Sequence, residues 1–217
     1  MKFETFLVVL VGWVFSLCLH EFSHALVAYY GGDTTVKEKG YLTFNPLKYT
    51  HPVYSLLLPL LFLVMGGIGL PGGAVYIETW RLRSRGWISA VSLAGPTSNL
   101  VLAILLGLLL RFGPVTSSGL WPGLAFLAFL QVSALILNLI PLPPFDGFGV
   151  LEPYLPMNIR TSLAQTRGML AWAVFFLLWY VPVFNSLFWG SISFLAQLAG
   201  VPLQLAALGY SLFRFWG

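Results

Sequence analysis

"VFSLCLHEFSHALVAYY" (residues 14–30) sets two imidazoles and a carboxylate, His20, Glu21 and His24, inside an otherwise greasy run. The run starts near residue 5 and reaches Tyr30 without a proline. As a helix rising about 1.5 Å per residue, it is long enough to cross a hydrocarbon core of about 30 Å. A charged side chain at the bilayer centre costs about 2.5–3.5 kcal/mol even on insertion scales, so ionisable groups there mark function. The stretch therefore reads as a membrane helix that carries a site.

The composition of the whole chain agrees. Of its 217 residues 58% are hydrophobic, 16% aromatic and only 8% charged, with a mean hydropathy of +0.86. Soluble domains carry about 25% charged residues, and 11 basic with 7 acidic side chains cannot cover a water-facing surface of this size. Lipid must contact much of the protein. The formal charge of +4 and pI near 9.3 do not indicate nucleic acid, because the basic residues are scattered and form no stripe. Cys18, the single cysteine, excludes an internal disulfide and any multi-cysteine metal site. The first residues resemble a signal peptide, yet the apolar run continues through His20 to Tyr30 with no small-residue cleavage site, so it is expected to be mature structure.

Apolar runs of spanning length occur at 5–30, 87–111, 119–141 and 168–213, the last long enough for two helices with a break at "VPVFN" (181–185). The segment 52–70 is ambiguous, since Pro59, Gly66, Gly67 and Gly69 interrupt it. If it dips in and returns, Lys37, Lys39, Lys48, Arg81, Arg83, Arg85, Arg160, Arg167 and Arg214 share one face, leaving Lys2 and Arg111 opposite. The positive-inside rule then makes that face cytoplasmic. A full span would erase the asymmetry. The expected fold is an all-α membrane protein: a polytopic bundle of about five to six transmembrane helices with a short membrane-inserted re-entrant or β segment. Residues 1–217 form one membrane-embedded domain, with a core at 5–160 and accessory C-terminal helices at 168–213. The polar loops are too short for an inserted soluble domain.

His20 and His24 stand four apart, so on a helix they share one face about one turn apart and can ligate one ion. Glu21 lies about 100° round from His20, close to such an ion but poorly placed to ligate it. This is the HExxH arrangement. In zinc hydrolases that carry it, the glutamate takes a proton from the attacking water and passes it to the leaving amine. His24 is only about 9 Å along the axis from Tyr30, which sets the site toward the cytoplasmic end.

Two histidines and a water leave a tetrahedral zinc one ligand short. The candidates are Asp33, Glu38, His51, Glu78, Asp146 and Glu152; Cys18 is excluded at about 200° round the helix from His20. Asp146 stands out. It follows a full span in "NLIPLPPFDGFG", where prolines forbid further helix and Gly147 permits a tight turn. In the re-entrant topology that span ends at the level of His24. A cap or turn aspartate at the membrane surface is the plainer use of Asp-Gly, and His51 in "YTHP" reads as an interfacial histidine.

Together these motifs resemble the site-2 protease family of intramembrane zinc metalloproteases, in its compact prokaryotic-type branch without PDZ or CBS domains. "HEFSHA" is similar to the family's HExxH helix, "NLIPLPPFDG" to its N-x-x-P-x-P-x-x-D-G segment, and "LAGPTSN" (93–99) to its A-G-P-x-x-N entry to the intervening helix. The likeness covers most of residues 5–160 and fades beyond. It implies that His20, His24 and Asp146 ligate one zinc ion and that Glu21 is catalytic base and acid. It also implies that Asn138 and Asn99 hold substrate, and that "GGAVYIE" forms a strand edge able to pair with an unwound substrate segment. The implied activity is cleavage of a peptide bond within or near a transmembrane segment of a membrane-protein substrate, in a prokaryotic cell membrane. Two departures, Tyr49 with His51 and Phe148 with Gly149, touch the surroundings of the site and not its ligands. The alternative from another class is a membrane metal-binding protein or metal transporter using the same His, Glu and Asp cluster. Against it, residues 168–184 offer almost no polar group for a transit path; a third reading, an inactive relative that merely grips transmembrane helices, is opposed by Glu21, which zinc binding alone does not require.

Overall fold

The structure is a computed structural model that describes residues 1–49, 75–113 and 118–214. Among these residues all regular structure is helical. The helix α1 (Lys2–Gly31) contains the HExxH stretch and runs uninterrupted because nothing in it breaks the backbone ladder. It stops at Gly32, whose φ of 122° suits a residue without Cβ. A short turn of helix, α2 (Thr35–Glu38), follows. Beyond the undescribed residues lie α3 (Arg85–Phe112) and α4 (Leu120–Asn138).

These three long helices form the heart of the bundle, and α4 is its centre. Its apolar window is 72% buried, against 39% for those of α1 and α3, and it packs against α1, α3 and the terminal helices. Thr5 donates to the Gly119 carbonyl at 2.8 Å, and the Gly119 N–H donates to Glu4 at 2.8 Å. The N-terminal ends of α1 and α4 are thereby joined, and the two helices run parallel. Arg83 N–H donates to the Gly31 carbonyl at 3.0 Å, joining the C-terminal end of α1 to the start of α3. The helix α3 is thus antiparallel to both α1 and α4.

The faces turned away from the bundle remain apolar. Phe3, Leu7, Val11 and Phe15 make an exposed stripe along α1, and Leu93, Leu100, Val101, Ile104, Leu105, Leu108 and Leu109 are likewise exposed on α3. Contiguous exposure of this kind has no stable solution in water. With three helices long and apolar enough to span, the protein is an integral membrane protein.

After α4, a proline-rich turn leads into α5 (Asp146–Leu151), a single turn at Glu152–Tyr154 and the amphipathic α6 (Met157–Gln165). The terminal region breaks at Val181, inside the stretch expected, between α7 (Arg167–Tyr180) and α8 (Pro182–Leu198), which meet at 87°. The bent pair is either one broken span or a re-entrant loop, which brings the described spans to three or four. A second break, not expected, separates α9 (Leu203–Phe213). Gly200 there takes φ 82°, and Pro202 cannot continue a helix. The turn fits because Gly107 of α3 has no Cβ; one there would overlap the Ala199 carbonyl.

The segment 52–70, expected to re-enter, and residues 72–74 of the expected β segment lie outside the described residues. Val75–Glu78 has no regular secondary structure and no strand partner among the described residues. The flanking stretches nevertheless meet at one end of α1. Besides the Arg83–Gly31 bond, Lys39 reaches the Tyr76 carbonyl at 3.3 Å and Glu78 at 2.9 Å. Arg214 corrects the expected charge distribution. It follows Phe213, which stacks on Phe6 near the start of α1 at 5.5 Å, so Arg214 belongs with Lys2 and Arg111 at the opposite end.

Candidate active site

His20 and His24 occupy successive turns of α1, so helical geometry puts both on one face, and packing turns that face toward α3. Their Nε2 atoms stand 3.0 Å apart. Asp146, the first residue of α5, presents Oδ2 at 3.1 Å from Nε2 of His20 and 3.4 Å from that of His24. Three ligand-type atoms from two distant parts of the chain therefore converge. Among the described residues these three side chains form the one group of His, Cys, Asp and Glu arranged to hold a metal ion.

The far side of each imidazole is committed. His20 Nδ1–H donates to Oδ1 of Asn99 at 2.6 Å, and His24 Nδ1–H donates to the Val91 carbonyl at 2.7 Å. Protons held at both Nδ1 atoms leave both Nε2 lone pairs facing Asp146. Partners of this sort fix the tautomer and ring orientation of metal-binding histidines. Asn99 is itself held, donating through Nδ2 to Oε1 of Gln131 at 2.8 Å, and Gln131 Nε2 donates to Ser16 Oγ at 2.8 Å.

Glu21 is buried beside this cluster, and its Oε2 accepts the Val75 N–H at 3.1 Å. Val75, Tyr76 and Ile77 form one wall of a cleft of about 670 Å³ that also exposes His20, Glu21, His24, Asn138 and Asp146. The segment is fastened at its far end. Glu78 accepts from Lys39 at 2.9 Å and from Arg81 at 2.6 Å, and its N–H donates to Asp33 at 2.8 Å. Hydrogen bonds from Lys39 and Arg81 hold the Glu78 carboxyl below its ordinary pKa.

The remaining ligand candidates are placed elsewhere. Asp33 caps Thr35 and receives Glu78 N–H, Glu78 pairs with Lys39 and Arg81, and Glu152 pairs with Arg160 at 3.4 Å. Glu38 belongs to no metal-type group, the Cys18 thiol is free and buried, and His51 lies outside the described residues. Asn138 lines the cleft, whereas Asn99 sits behind His20 with both ends of its amide engaged. Gly147 does not serve the tight turn expected of it. It is helical, and its missing Cβ instead lets α5 abut the Leu139 carbonyl, which a Cβ would overlap.

Three contributions were not foreseen from sequence. A Cβ on Gly95 would overlap Nε2 of both His20 and His24, so the glycine in "LAGPTSN" creates the space in which the ligand atoms converge. The signal was present, because glycine in a helix interior costs about 1 kcal/mol relative to alanine and so asks for a packing reason. Gln131 and Ser16 were hidden, since one polar residue in an apolar helix carries no pattern.

No family model and no solved structure matches the chain. Curated proteins do. A protein of Mycobacterium tuberculosis provisionally named zinc metalloprotease Rip2 is 48% identical over 213 residues, covering 97% of this chain and 81% of its own. The protein of the same name in Mycolicibacterium smegmatis is 47% identical with equal coverage. A Bacillus subtilis protein provisionally named zinc metalloprotease YwhC is 32% identical over 81% of each chain. Identity at this level over nearly the whole chain, with the three motifs folded around one cleft, places the protein in the family of these relatives: it belongs to the compact site-2 protease family of zinc metalloproteases.

Proposed function

We propose that the protein is an intramembrane zinc metalloprotease that cleaves a peptide bond within or near a transmembrane segment of a membrane-protein substrate. The observation that carries this reading is the convergence of His20, His24 and Asp146 beside Glu21, on a helix long and apolar enough to span. The donor set fits zinc. Two imidazole nitrogens and one carboxylate oxygen form a catalytic zinc set that leaves one position open. Ligand atoms about 2.0–2.1 Å from a tetrahedral ion lie roughly 3.4 Å from one another, and the observed separations are 3.0, 3.1 and 3.4 Å. When bound there, zinc would polarise the scissile carbonyl and activate a water.

The chain's own residues do the rest. Glu21 takes the proton of the attacking water and delivers it to the leaving nitrogen, a role worth about 10²–10⁴ in rate for a positioned acid–base group. Asn138, at the end of α4 and in the cleft wall, donates its side-chain amide to the substrate backbone. A substrate helix has its peptide groups internally hydrogen-bonded and must be locally unwound before attack. The Val75–Glu78 segment in the cleft wall supplies backbone groups to the unwound stretch. Residues 5–160 form the catalytic core, with the helices from 168 to 213 as accessories around one membrane-embedded domain. Eight of the 11 basic residues lie at the site's end of the bundle, which favours a cytoplasmic-side active site in a prokaryotic cell membrane.

Replacing Glu21 with glutamine tests the reading. Zinc content should be retained while cleavage of a co-expressed membrane substrate falls at least 100-fold. Unchanged cleavage, or metal-dependent uptake into vesicles that survives the substitution, would sink it.

A further inference from the structure

We infer that Gln131, anchored by Ser16, is a positioning residue for His20: the buried relay Ser16–Gln131–Asn99 dictates which way the Asn99 amide points and so which nitrogen of His20 carries the proton. The inference rests on the proposed metal role of His20.

The relay runs through the core of the bundle and joins α1, α3 and α4. Ser16 O–H donates to the Gly12 carbonyl at 2.6 Å. A carbonyl only accepts, so the lone pairs of Ser16 Oγ are left to receive Gln131 Nε2–H at 2.8 Å. That orients Oε1 of Gln131 toward Asn99, which must then present its NH₂ to Gln131 at 2.8 Å and its oxygen to His20 at 2.6 Å. Only an oxygen at that position holds a proton on Nδ1 of His20. Gln131 is 0%, Ser16 1% and Asn99 4% exposed, so bulk water has little access to these groups.

An alternative polarity exists, which gives the relay its importance. If both amides flipped, Ser16 would donate to Gln131 and Asn99 would offer N–H to His20 Nδ1. The His20 proton would then sit on Nε2, and one of the three ligand lone pairs would vanish. The flipped chain also forfeits the bond to the Gly12 carbonyl. Ser16 and Gln131 thus bias the histidine toward its ligand tautomer from two hydrogen bonds away. Conversely, an apolar residue at 131 would free the Asn99 amide to rotate.

The test is zinc affinity of the purified full-length chain in detergent, by competition with a chromophoric chelator, alongside the melting temperature of the metal-free protein. Gln131→Met should raise the zinc dissociation constant about 10–100-fold, as for other partners of ligand histidines. In a chain that also carries Asn99→Asp, both side-chain oxygens at 99 accept, orientation ceases to matter, and Gln131→Met should cost little affinity. A merely structural glutamine would lower the melting temperature alone, or lower zinc affinity by the same factor in both backgrounds. Should Gln131→Met fail to fold, Ser16→Ala should show a smaller loss in the same direction. Zinc binding unaltered by whichever of these variants folds would overturn the inference, as would equal losses with and without Asn99→Asp. His20→Ala separates the two levels. If it abolishes tight binding while Gln131→Met leaves zinc affinity unaltered, the relay idea alone fails; if His20→Ala binds zinc normally, the metal assignment fails.

Discussion

At the scale of single residues, the site depends on what is missing as much as on what is present. Gly95 is the clearest case: the absent Cβ is the space between two imidazoles. Gly95→Ala should lower zinc affinity at least 10-fold while leaving the metal-free melting temperature nearly unchanged, measured by chelator competition and thermal unfolding. Asp146→Ala should behave differently from Glu21→Gln. Removing a ligand should lose zinc and cleavage together, read as metal content after desalting against turnover of the same sample. His20, Glu21 and His24 were legible in the sequence because ionisable groups are costly in lipid. Asn99 was singled out by its motif, but its hydrogen-bond partners His20 and Gln131 were not. A motif fixes a residue's place along a helix, whereas the partner of its amide depends on which helix packs against it, here α4 through Gln131.

At the scale of elements, the Val75–Glu78 segment beside the site is held by charge. Asp33, Lys39 and Arg81 fasten Glu78, and Val75 touches Glu21. Because the folded Glu78 pKa is lowered, its contribution to stability is fully present above the unfolded glutamate value of about 4.3. It is lost as pH falls through the folded value. Glu78→Gln should therefore lower stability modestly at about pH 7 and above, where that contribution is present, and change little in acid, flattening the acid limb of a stability-versus-pH profile measured by thermal unfolding across the range. The packing of α9 rests on a close approach instead. A Cβ at Gly209 would overlap the Pro122 carbonyl of α4, so Gly209→Leu should destabilise by about 1–3 kcal/mol through overpacking. The signature is a lower melting temperature in detergent with zinc affinity preserved. The sequence placed the break at Val181 correctly, because proline follows it. It missed the break at Gly200, whose turn is paid for by contact with Gly107 of another helix.

At the scale of the whole molecule, topology decides which end of each helix meets the site. The hydrogen bond from Arg83 to Gly31 predicts that cysteines introduced at Lys37 and Arg83 label from the same side of the membrane, and that one at Lys2 labels from the other. Labelling of the first two from opposite sides would contradict the arrangement. The membrane class, the helical content and the identity of the HExxH and Asp-Gly segments were determined by sequence alone, since hydropathy and local spacing are properties of the chain near each residue. The convergence of His24 with Asp146, 122 positions later, the cradle at Gly95, the relay through Gln131 and the placement of Arg214 were decided only by tertiary structure. Each depends on which faces of α1, α3 and α4 meet, and three helices apolar on all sides do not declare that in their sequences.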